Sequence, residues 1–153
     1  MGYTSLTDLE DLNINYNRIT KIENLEHLTK LKLLIIGFNK INKIEGLDKL
    51  INLEDLFLSG NKINKIEGLD KLINLADLDL SDNKISTIEN LSNLKMLRIL
   101  SLEDNSLTKI KGLDGLEELA EVKVKKNKIT QKEQRIAEKK YPDIIFNYYS
   151  YYD

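Results

Sequence analysis

A repeat of 22 residues constrains this chain more than any other feature of its sequence. Six asparagines mark it at equal spacing: Asn17, Asn39, Asn61, Asn83, Asn105 and Asn127. Each lies at the same place in the pattern L-x-x-L-x-L-x-x-N-x-I-x-x-I-x-x-L-x-x-L-x-x. Fifteen residues, NKINKIEGLDKLINL, occur twice without change, at residues 39–53 and 61–75. A fixed period of this length predicts units that stack in a line and share one continuous core.

Two apolar periods lie inside each unit. The Leu-x-Leu part alternates apolar and polar residues, which predicts a short strand with one buried face. After the asparagine, apolar residues recur every three positions, a spacing that favours an extended turn followed by a 3₁₀ turn. The sixteenth position of the unit predicts a left-handed backbone, because in the first five units it holds asparagine or glycine: Asn24, Gly46, Gly68, Asn90 and Gly112. The recurring asparagine is interpreted as a buried amide that ties neighbouring turns together.

These patterns predict an α/β solenoid. We expect an arc with a parallel concave sheet of about seven short strands and with 3₁₀ and extended turns on its convex side. The chain is one domain over residues 1–153, in which residues 9–129 form the six repeats. Residues 1–8 form a partial N-terminal cap, to which Tyr3 and Leu6 contribute.

A C-terminal cap of helix, strand and tyrosine-rich tail is predicted over residues 130–153. Thr130 and Glu133 have the spacing of a capping box, which opens a helix with Ile136 and Ala137 facing inward. Pro142 stops this helix.

A seventh strand is predicted in the sequence DIIFN. A further step of 22 residues from Val122 and Val124 reaches Ile144 and Phe146. The tail that follows contains Tyr148, Tyr149, Tyr151 and Tyr152. It can pack over the last strand, pair with a second copy of the chain or act as a ligand, and we favour packing as part of the cap.

Composition narrows the functional classes. The chain lacks cysteine, which excludes disulfides, thiolate catalysis and zinc thiolate sites and fits a reducing, cytoplasmic location. A formal charge of −2 gives no bias toward nucleic acid, and no apolar run is long enough to cross a membrane. The single histidine, His27, is interpreted as a surface residue. We therefore expect no cofactor, no membrane and no direct contact with nucleic acid.

The recurring N-K-I-x-x-I-E-x-L-x-x-L after each strand resembles the leucine-rich-repeat family, and more narrowly its 22-residue class. The resemblance covers roughly residues 3–147. It extends to the repeat-built regulatory subunit of protein phosphatase 1, and similar repeats occur in a dynein light chain and a spliceosomal protein. The family resemblance implies a curved solenoid whose inner, strand-bearing face holds a partner, and it implies little about which partner.

Functional residues are expected at positions that the repeat does not dictate. The third, fifth, seventh and eighth positions of each unit are predicted to face the concave side. They include an apolar group, Leu33, Ile35, Phe38 and Phe57, which Tyr16 and Ile99 flank. Beside it is an acidic stripe of Asp55, Asp77, Asp79, Asp82, Glu103 and Asp104. These residues form the predicted partner-binding site, since exposed apolar side chains anchor partners and carboxylates select basic ones.

The predicted function is a non-catalytic protein interaction module that serves regulation or assembly. Its partner is expected to be a protein with a basic and apolar contact surface. The chain itself is expected to be a monomer, with a dimer through the C-terminal edge as the alternative. A purely structural or engineered scaffold is a second alternative, which the literal duplication favours.

Catalysis and calcium binding are weaker interpretations. Asp77 and Asp79 could act as acid and base, but they are predicted to face an open curve with no pocket. Together with Ser81 they start like a calcium loop, but Asp82 replaces the required glycine.

Overall fold

The computed structural model describes residues 6–148, and these residues form a seven-stranded parallel sheet in sequential strand order. The strands are β1 (Asp11–Asn13), β2 (Leu33–Ile35), β3 (Asp55–Phe57), β4 (Asp77–Asp79), β5 (Ile99–Ser101), β6 (Glu121–Lys123) and β7 (Ile145–Asn147). A 3₁₀ turn at Leu6–Asp8 precedes β1, and the α-helix α1 (Gln131–Lys140) lies between β6 and β7. This order confirms the predicted solenoid arc.

The register of the sheet follows the sequence repeat. Leu34 pairs with Leu56, and Leu56 pairs with Leu78, each a step of 22 residues. The central residue of each strand from β2 to β6 is buried, while its two neighbours are half-buried in most strands. One face of the sheet therefore belongs to the core and the other faces the open curve.

The convex half of each of the first five units turns by single 3₁₀-type hydrogen bonds, as the three-residue spacing predicts. The Leu50 N–H donates to the Leu47 carbonyl at 2.9 Å, and the Leu53 N–H donates to the Leu50 carbonyl at 3.0 Å. The aliphatic columns of these turns are buried, since Ile41, Leu47 and Leu50 each expose none of their surface. Each repeat unit forms one rung of the solenoid and shares its core with the rungs on both sides. Stability therefore depends on the contacts between neighbouring rungs.

The recurring asparagines form a hydrogen-bonded ladder, which confirms their predicted role. Asn61 Nδ2 donates to the carbonyls of Leu58 at 3.0 Å and of Ile36, one rung earlier, at 3.2 Å. Its Oδ1 accepts from the Ile41 N–H at 3.0 Å. Asn39, Asn83, Asn105 and Asn127 repeat these contacts. Asn17, in the first rung, bonds only within its own rung among the described residues.

The left-handed backbone predicted at the sixteenth position is present in the first five of the six repeats, with φ between 57° and 83°. In the sixth repeat the position is Gln134, which lies in α1. At the left-handed position the chain meets the carbonyl of the previous rung. An added Cβ on Gly68 would lie 2.4 Å from the Ile44 oxygen. Asn90 occupies the same position of its unit, and its Nδ2 donates a hydrogen bond to the facing Ile66 carbonyl at 2.7 Å.

A second left-handed position, which the sequence analysis missed, lies at the eighth residue of every unit. Its φ angles run from 51° to 66° in Tyr16, Phe38, Gly60, Asp82, Asp104 and Lys126. The chain turns there from the strand into the convex half.

The C-terminal cap follows the prediction with one correction. Thr130 Oγ1 accepts from the Glu133 N–H at 3.3 Å, so the predicted capping box does begin α1. Ala137 is buried as predicted, but Ile136 is exposed, so its predicted inward position is wrong. The inward stripe of the helix continues from Ala137 to the buried Tyr141, four residues later, and Ile136 lies beside that stripe.

The seventh strand is present, but its register differs from the predicted step of 22. Val122 pairs with Phe146, which is a step of 24 residues. The helix replaces a convex turn and uses two more residues than an ordinary unit. A shift of two residues keeps Phe146 on the core face, because side chains alternate along a strand.

The first and last described repeats are packed differently. Leu6 is exposed, and Leu9, Leu12 and Ile14 are only partly buried. At the other end Tyr148 stacks on Phe146 with ring centroids 5.8 Å apart, which agrees with packing as part of the cap. The predicted roles of Tyr3, Tyr149, Tyr151 and Tyr152 lie outside the described residues.

Candidate functional site: the concave face

The sheet places the predicted partner-binding residues in rows that run across the strands. The first strand residues form one row: Asp11, Leu33, Asp55, Asp77, Ile99, Glu121 and Ile145. The third strand residues form another: Asn13, Ile35, Phe57, Asp79, Ser101, Lys123 and Asn147. Neighbours in a row are about 4.8 Å apart, the spacing of adjacent strands.

The predicted apolar group divides into two parts. Ile35 pairs with Phe57 in register, and Leu33 lies on the same face of β2, so these half-buried residues form one apolar cluster. Ile99 does not join them, because Asp55 and Asp77 separate it from Leu33 in the row.

Tyr16 and Phe38 form an aromatic stack beside this cluster, at the carboxyl ends of β1 and β2. Their ring centroids are 4.6 Å apart and their planes differ by 4°. Both remain largely accessible, since Tyr16 exposes 75% and Phe38 44% of its surface. Phe38 covers Gly60 of the next rung, where an added Cβ would lie 2.6 Å from the ring. Glycine at this position therefore makes room for the stack.

Asp55 and Asp77 are the half-buried acidic centre of the face. They are direct neighbours in the sheet, and neither has an ion-pair partner within 4.0 Å among the described residues. Burial raises the pKa of the Asp77 carboxyl, and Asp55 raises it further, although Lys123 opposes them. Burial likewise raises the pKa of Asp55. A cationic group placed here would stabilise the ionised form of both carboxylates.

Three of the remaining four carboxylates of the predicted stripe already have a partner. Glu103 lies 3.6 Å from the Lys125 ammonium, and Asp104 lies 3.1 Å from that of Lys126. Asp79 Oδ1 accepts from the Ser81 N–H at 2.8 Å. Asp82 is exposed at the left-handed turn after β4. The stripe thus weakens toward β6, where lysines neutralise it.

A groove that the sequence analysis missed crosses the amino-terminal edge of the sheet. It encloses about 500 Å³ and is lined by Asp55, Ala76, Asp77, Arg98, Ile99, Ala120, Glu121 and Ile145. Its signal lies in the second position of each unit, which reads Glu10, Lys32, Glu54, Ala76, Arg98 and Ala120. Long side chains occupy this position in the first three units and in the fifth, and the alanines of the fourth and sixth units leave space on both sides of Arg98.

Within residues 6–148, no three His, Cys, Asp or Glu side chains are placed to hold a metal ion. In the same residues no helix is long and apolar enough to span a bilayer.

Comparison with known proteins identifies the repeat. A family model described as "Leucine Rich repeats (2 copies)" matches residues 7–49 and 51–93, which together exceed half of the chain. A search of curated proteins finds no match.

Three solved structures illustrate the structural similarity. A leucine-rich-repeat protein from Leptospira interrogans has a TM-score of 0.87 at 30% identity, over 94% of this chain and 38% of that chain. An internalin, InlF, from Listeria monocytogenes has a TM-score of 0.82 at 27% identity, over 95% of this chain and 43% of that one. The functional domain of InlJ from the same organism, described as including a cysteine ladder, gives 0.68 at 28% identity, over 80% and 26%.

This chain therefore spans less than half the length of each of these three chains. It has no cysteine, and asparagines form its ladder instead. None of the three is a phosphatase regulatory subunit, so the comparisons do not support that finer resemblance.

Proposed function

Because the chain belongs to the leucine-rich-repeat family, we propose that it is a non-catalytic interaction module that holds a partner protein on its concave face. The binding surface consists of the Leu33, Ile35 and Phe57 cluster, the Tyr16–Phe38 stack and the adjacent carboxylates. A role in regulation or assembly, and a location inside the cell, belong to the same proposal.

The observation that carries this proposal is the backbone of the aromatic stack. Tyr16 and Phe38 both have positive φ, 56° and 51°, which costs a residue with a bulky side chain about 1 kcal/mol. Stacking returns about 0.5–1.5 kcal/mol for the pair. The two rings therefore add little net stability, although they expose a large apolar surface to water. Exposed apolar rings of this kind are typical of a binding surface, on which a partner would cover them.

The charge of the face indicates the chemistry of the partner. Asp55, Asp77 and Asp79 lie next to the apolar cluster, and none of them has an ion-pair partner within 4.0 Å among the described residues. We expect a partner surface that combines apolar anchors with lysine or arginine, because complementary charge directs association and suppresses wrong partners.

The test combines affinity capture with two double variants. Tyr16→Asn with Phe38→Asn replaces the rings by a residue that tolerates positive φ, and Ile35→Ser with Phe57→Ala removes the cluster. We expect the first variant to keep its melting temperature within a few degrees. We expect both variants to lose the proteins that the native chain captures from its source cell, as identified by mass spectrometry.

The matched control is Ile51→Ser with Ile73→Ser on the convex side. These isoleucines expose 51% and 56% of their surface and have no place in the proposed site. Capture that survives both concave variants, or that the convex control abolishes, would contradict the proposal. The scaffold alternative predicts no specific capture by any of the proteins.

A further inference from the structure

The groove at the amino-terminal edge of the sheet is a separate feature from the aromatic stack. It runs across β3, β4, β5, β6 and β7 and thus crosses four strand spacings, about 19 Å. The Tyr16–Phe38 stack lies at the opposite, carboxyl-terminal ends of β1 and β2. A partner segment in the groove would therefore make contacts that the stack cannot supply.

We propose that this groove binds an extended segment of the partner that carries lysine or arginine side chains. The inference rests on the proposed function and names the kind of segment that the face receives. At about 3.3 Å per residue, an extended chain of about six residues spans the groove.

The lining of the groove matches the two parts of such side chains. Its floor includes Ile99 and the two alanines, and Ile145 at its end exposes 64% of its surface. Lysine and arginine place their methylene groups along apolar surface of this kind while their charged ends reach polar groups.

The charges of the groove favour a cation over an anion. Asp55, Asp77 and Glu121 line it, against Arg98 as the only cation of the lining. Immediately outside the lining, Asp79 and Lys123 face each other across β5 in the next row and offset one another. Glu121 accepts a hydrogen bond from the Asn147 amide, which fixes the carboxylate at the groove's far end. The excess of carboxylates lies around Asp77, where a cationic side chain would pair with two acceptors.

Two alanines make the groove accessible. Ala76 and Ala120 occupy the unit position that holds Glu10, Lys32 and Glu54 in the first three units. Since the fold accepts long side chains at this position, glutamine at residues 76 and 120 should fill the groove and leave the rung intact.

The experiment uses the full chain and a defined probe, an acetylated hexapeptide of alternating lysine and valine with a fluorescent label. Matched peptides replace lysine by glutamate or by glutamine. Fluorescence anisotropy at low and moderate salt should show the lysine peptide binding at least tenfold more tightly than either of the others. Its affinity should fall severalfold as salt increases, because exposed charge pairs are screened.

Three variants distinguish binding in the groove from a general effect of the protein's negative charge. Asp55→Asn with Asp77→Asn should weaken binding of the lysine peptide about tenfold. Ala76→Gln with Ala120→Gln should weaken it severalfold without changing any charge. The control, Asp48→Asn with Asp70→Asn, removes the same number of carboxylates from the convex side and should leave the affinity unchanged.

Three results would overturn the inference: equal binding of the lysine and glutamate peptides, tighter binding of the glutamate peptide through Arg98, or an equal effect of the convex control. None of them would affect partner capture through Tyr16 and Phe38. Failure of the groove is therefore distinguishable from failure of the proposed function.

Discussion

Strands β3 and β4 make an internal comparison, because the same fifteen residues, NKINKIEGLDKLINL, precede both. The segments that follow are EDLFLSG at residues 54–60 and ADLDLSD at residues 76–82. The two strands have the same length, the same burial pattern and the same register with their neighbours. Gly60 and Asp82 even share the left-handed turn, with φ of 66° and 51°. The copied stretch thus determines the rung, whatever the concave face carries.

The three differences between the segments all change the concave surface. Ala76 in place of Glu54 helps to open the groove. Asp79 in place of Phe57 ends the apolar cluster. Asp82 replaces Gly60, whose missing side chain makes room for the Phe38 ring. Three substitutions are therefore enough to replace an apolar concave surface by an acidic one. The frame, meaning the backbone and core of the rung, stays unchanged.

The largest expected effect breaks the frame itself. Asn61→Leu removes the donor to the Leu58 and Ile36 carbonyls and the acceptor of the Ile41 N–H. The Ile41 N–H then lacks its acceptor, while each of the two carbonyls keeps one donor, from Asn39 or Asn83. Because a buried N–H is left unpaired and two hydrogen bonds are lost, we expect a loss of about 2–4 kcal/mol in the free energy of unfolding, measured by urea denaturation. Asn17→Leu, at the end of the ladder, should cost about 1 kcal/mol. Equal losses at both positions would contradict the ladder as the source of stability.

The frame was also the part that the sequence could predict. Identical residues every 22 positions point to identical environments, so the strands, the asparagine ladder and the left-handed Asn24 and Gly46 all follow from the pattern. The second left-handed turn did not follow, because residues as different as Tyr16 and Asp82 occupy it. The register of β7 was not predicted correctly either, because a helix replaces the repeating turn before this strand.

The site was less predictable than the frame, for a physical reason. Alternation along the strands placed Ile35 and Phe57 on the concave face, but Ile99 lies three strands from Ile35 and two strands from Phe57, too far to join them. The groove exists because Ala76 and Ala120 lack the long side chains found at this position in other units. Small residues at exposed positions have no pattern of their own, so only the packed rungs show the space between them.

A second prediction tests how the copied stretch approaches the rung before it. Gly68→Ala places a Cβ about 2.4 Å from the Ile44 oxygen in a backbone with φ of 68°. We expect a loss of about 1–3 kcal/mol in the free energy of unfolding. Gly68→Asn should cost less, because Asn90 occupies the equivalent position and donates to the facing carbonyl. An asparagine variant as unstable as the alanine variant would refute this account of the position.

The third prediction exchanges one difference between the strands. Gly60→Asp gives β3 the turn residue of β4, so the backbone should persist with a change of about 1 kcal/mol or less in stability. The new side chain should displace Phe38 from its place over residue 60 and separate it from Tyr16. Ring-current shifts in the aromatic NMR spectrum would report the loss of the stack. The reverse change, Asp82→Gly, should leave those shifts as they are.

The smallest expected effect concerns the acidic rung. Burial and the Asp55 charge raise the pKa of Asp77 in the folded chain, so folding makes this carboxyl harder to ionise. Its ionised form therefore destabilises the fold near neutral pH, and the penalty is relieved as the pH falls through the raised pKa. Because Asp77 is only half-buried and solvent screens its charge, Asp77→Asn should stabilise the protein by no more than about 0.5 kcal/mol at neutral pH. This gain should shrink as the pH falls through the raised pKa.

Urea denaturation of both proteins across this range measures the gain, and Asp48→Asn on the convex side is the matched control, expected to change stability by less. A native protein that is as stable as the Asp77 variant at neutral pH would show that the carboxylate carries no penalty there. If the variant is more stable and yet binds the lysine peptide more weakly, the acidic rung is retained for binding at a cost in stability. Asp55, which is the residue of β3 in register with Asp77, also has a pKa raised by burial, so the two strands share this penalty although their concave surfaces differ.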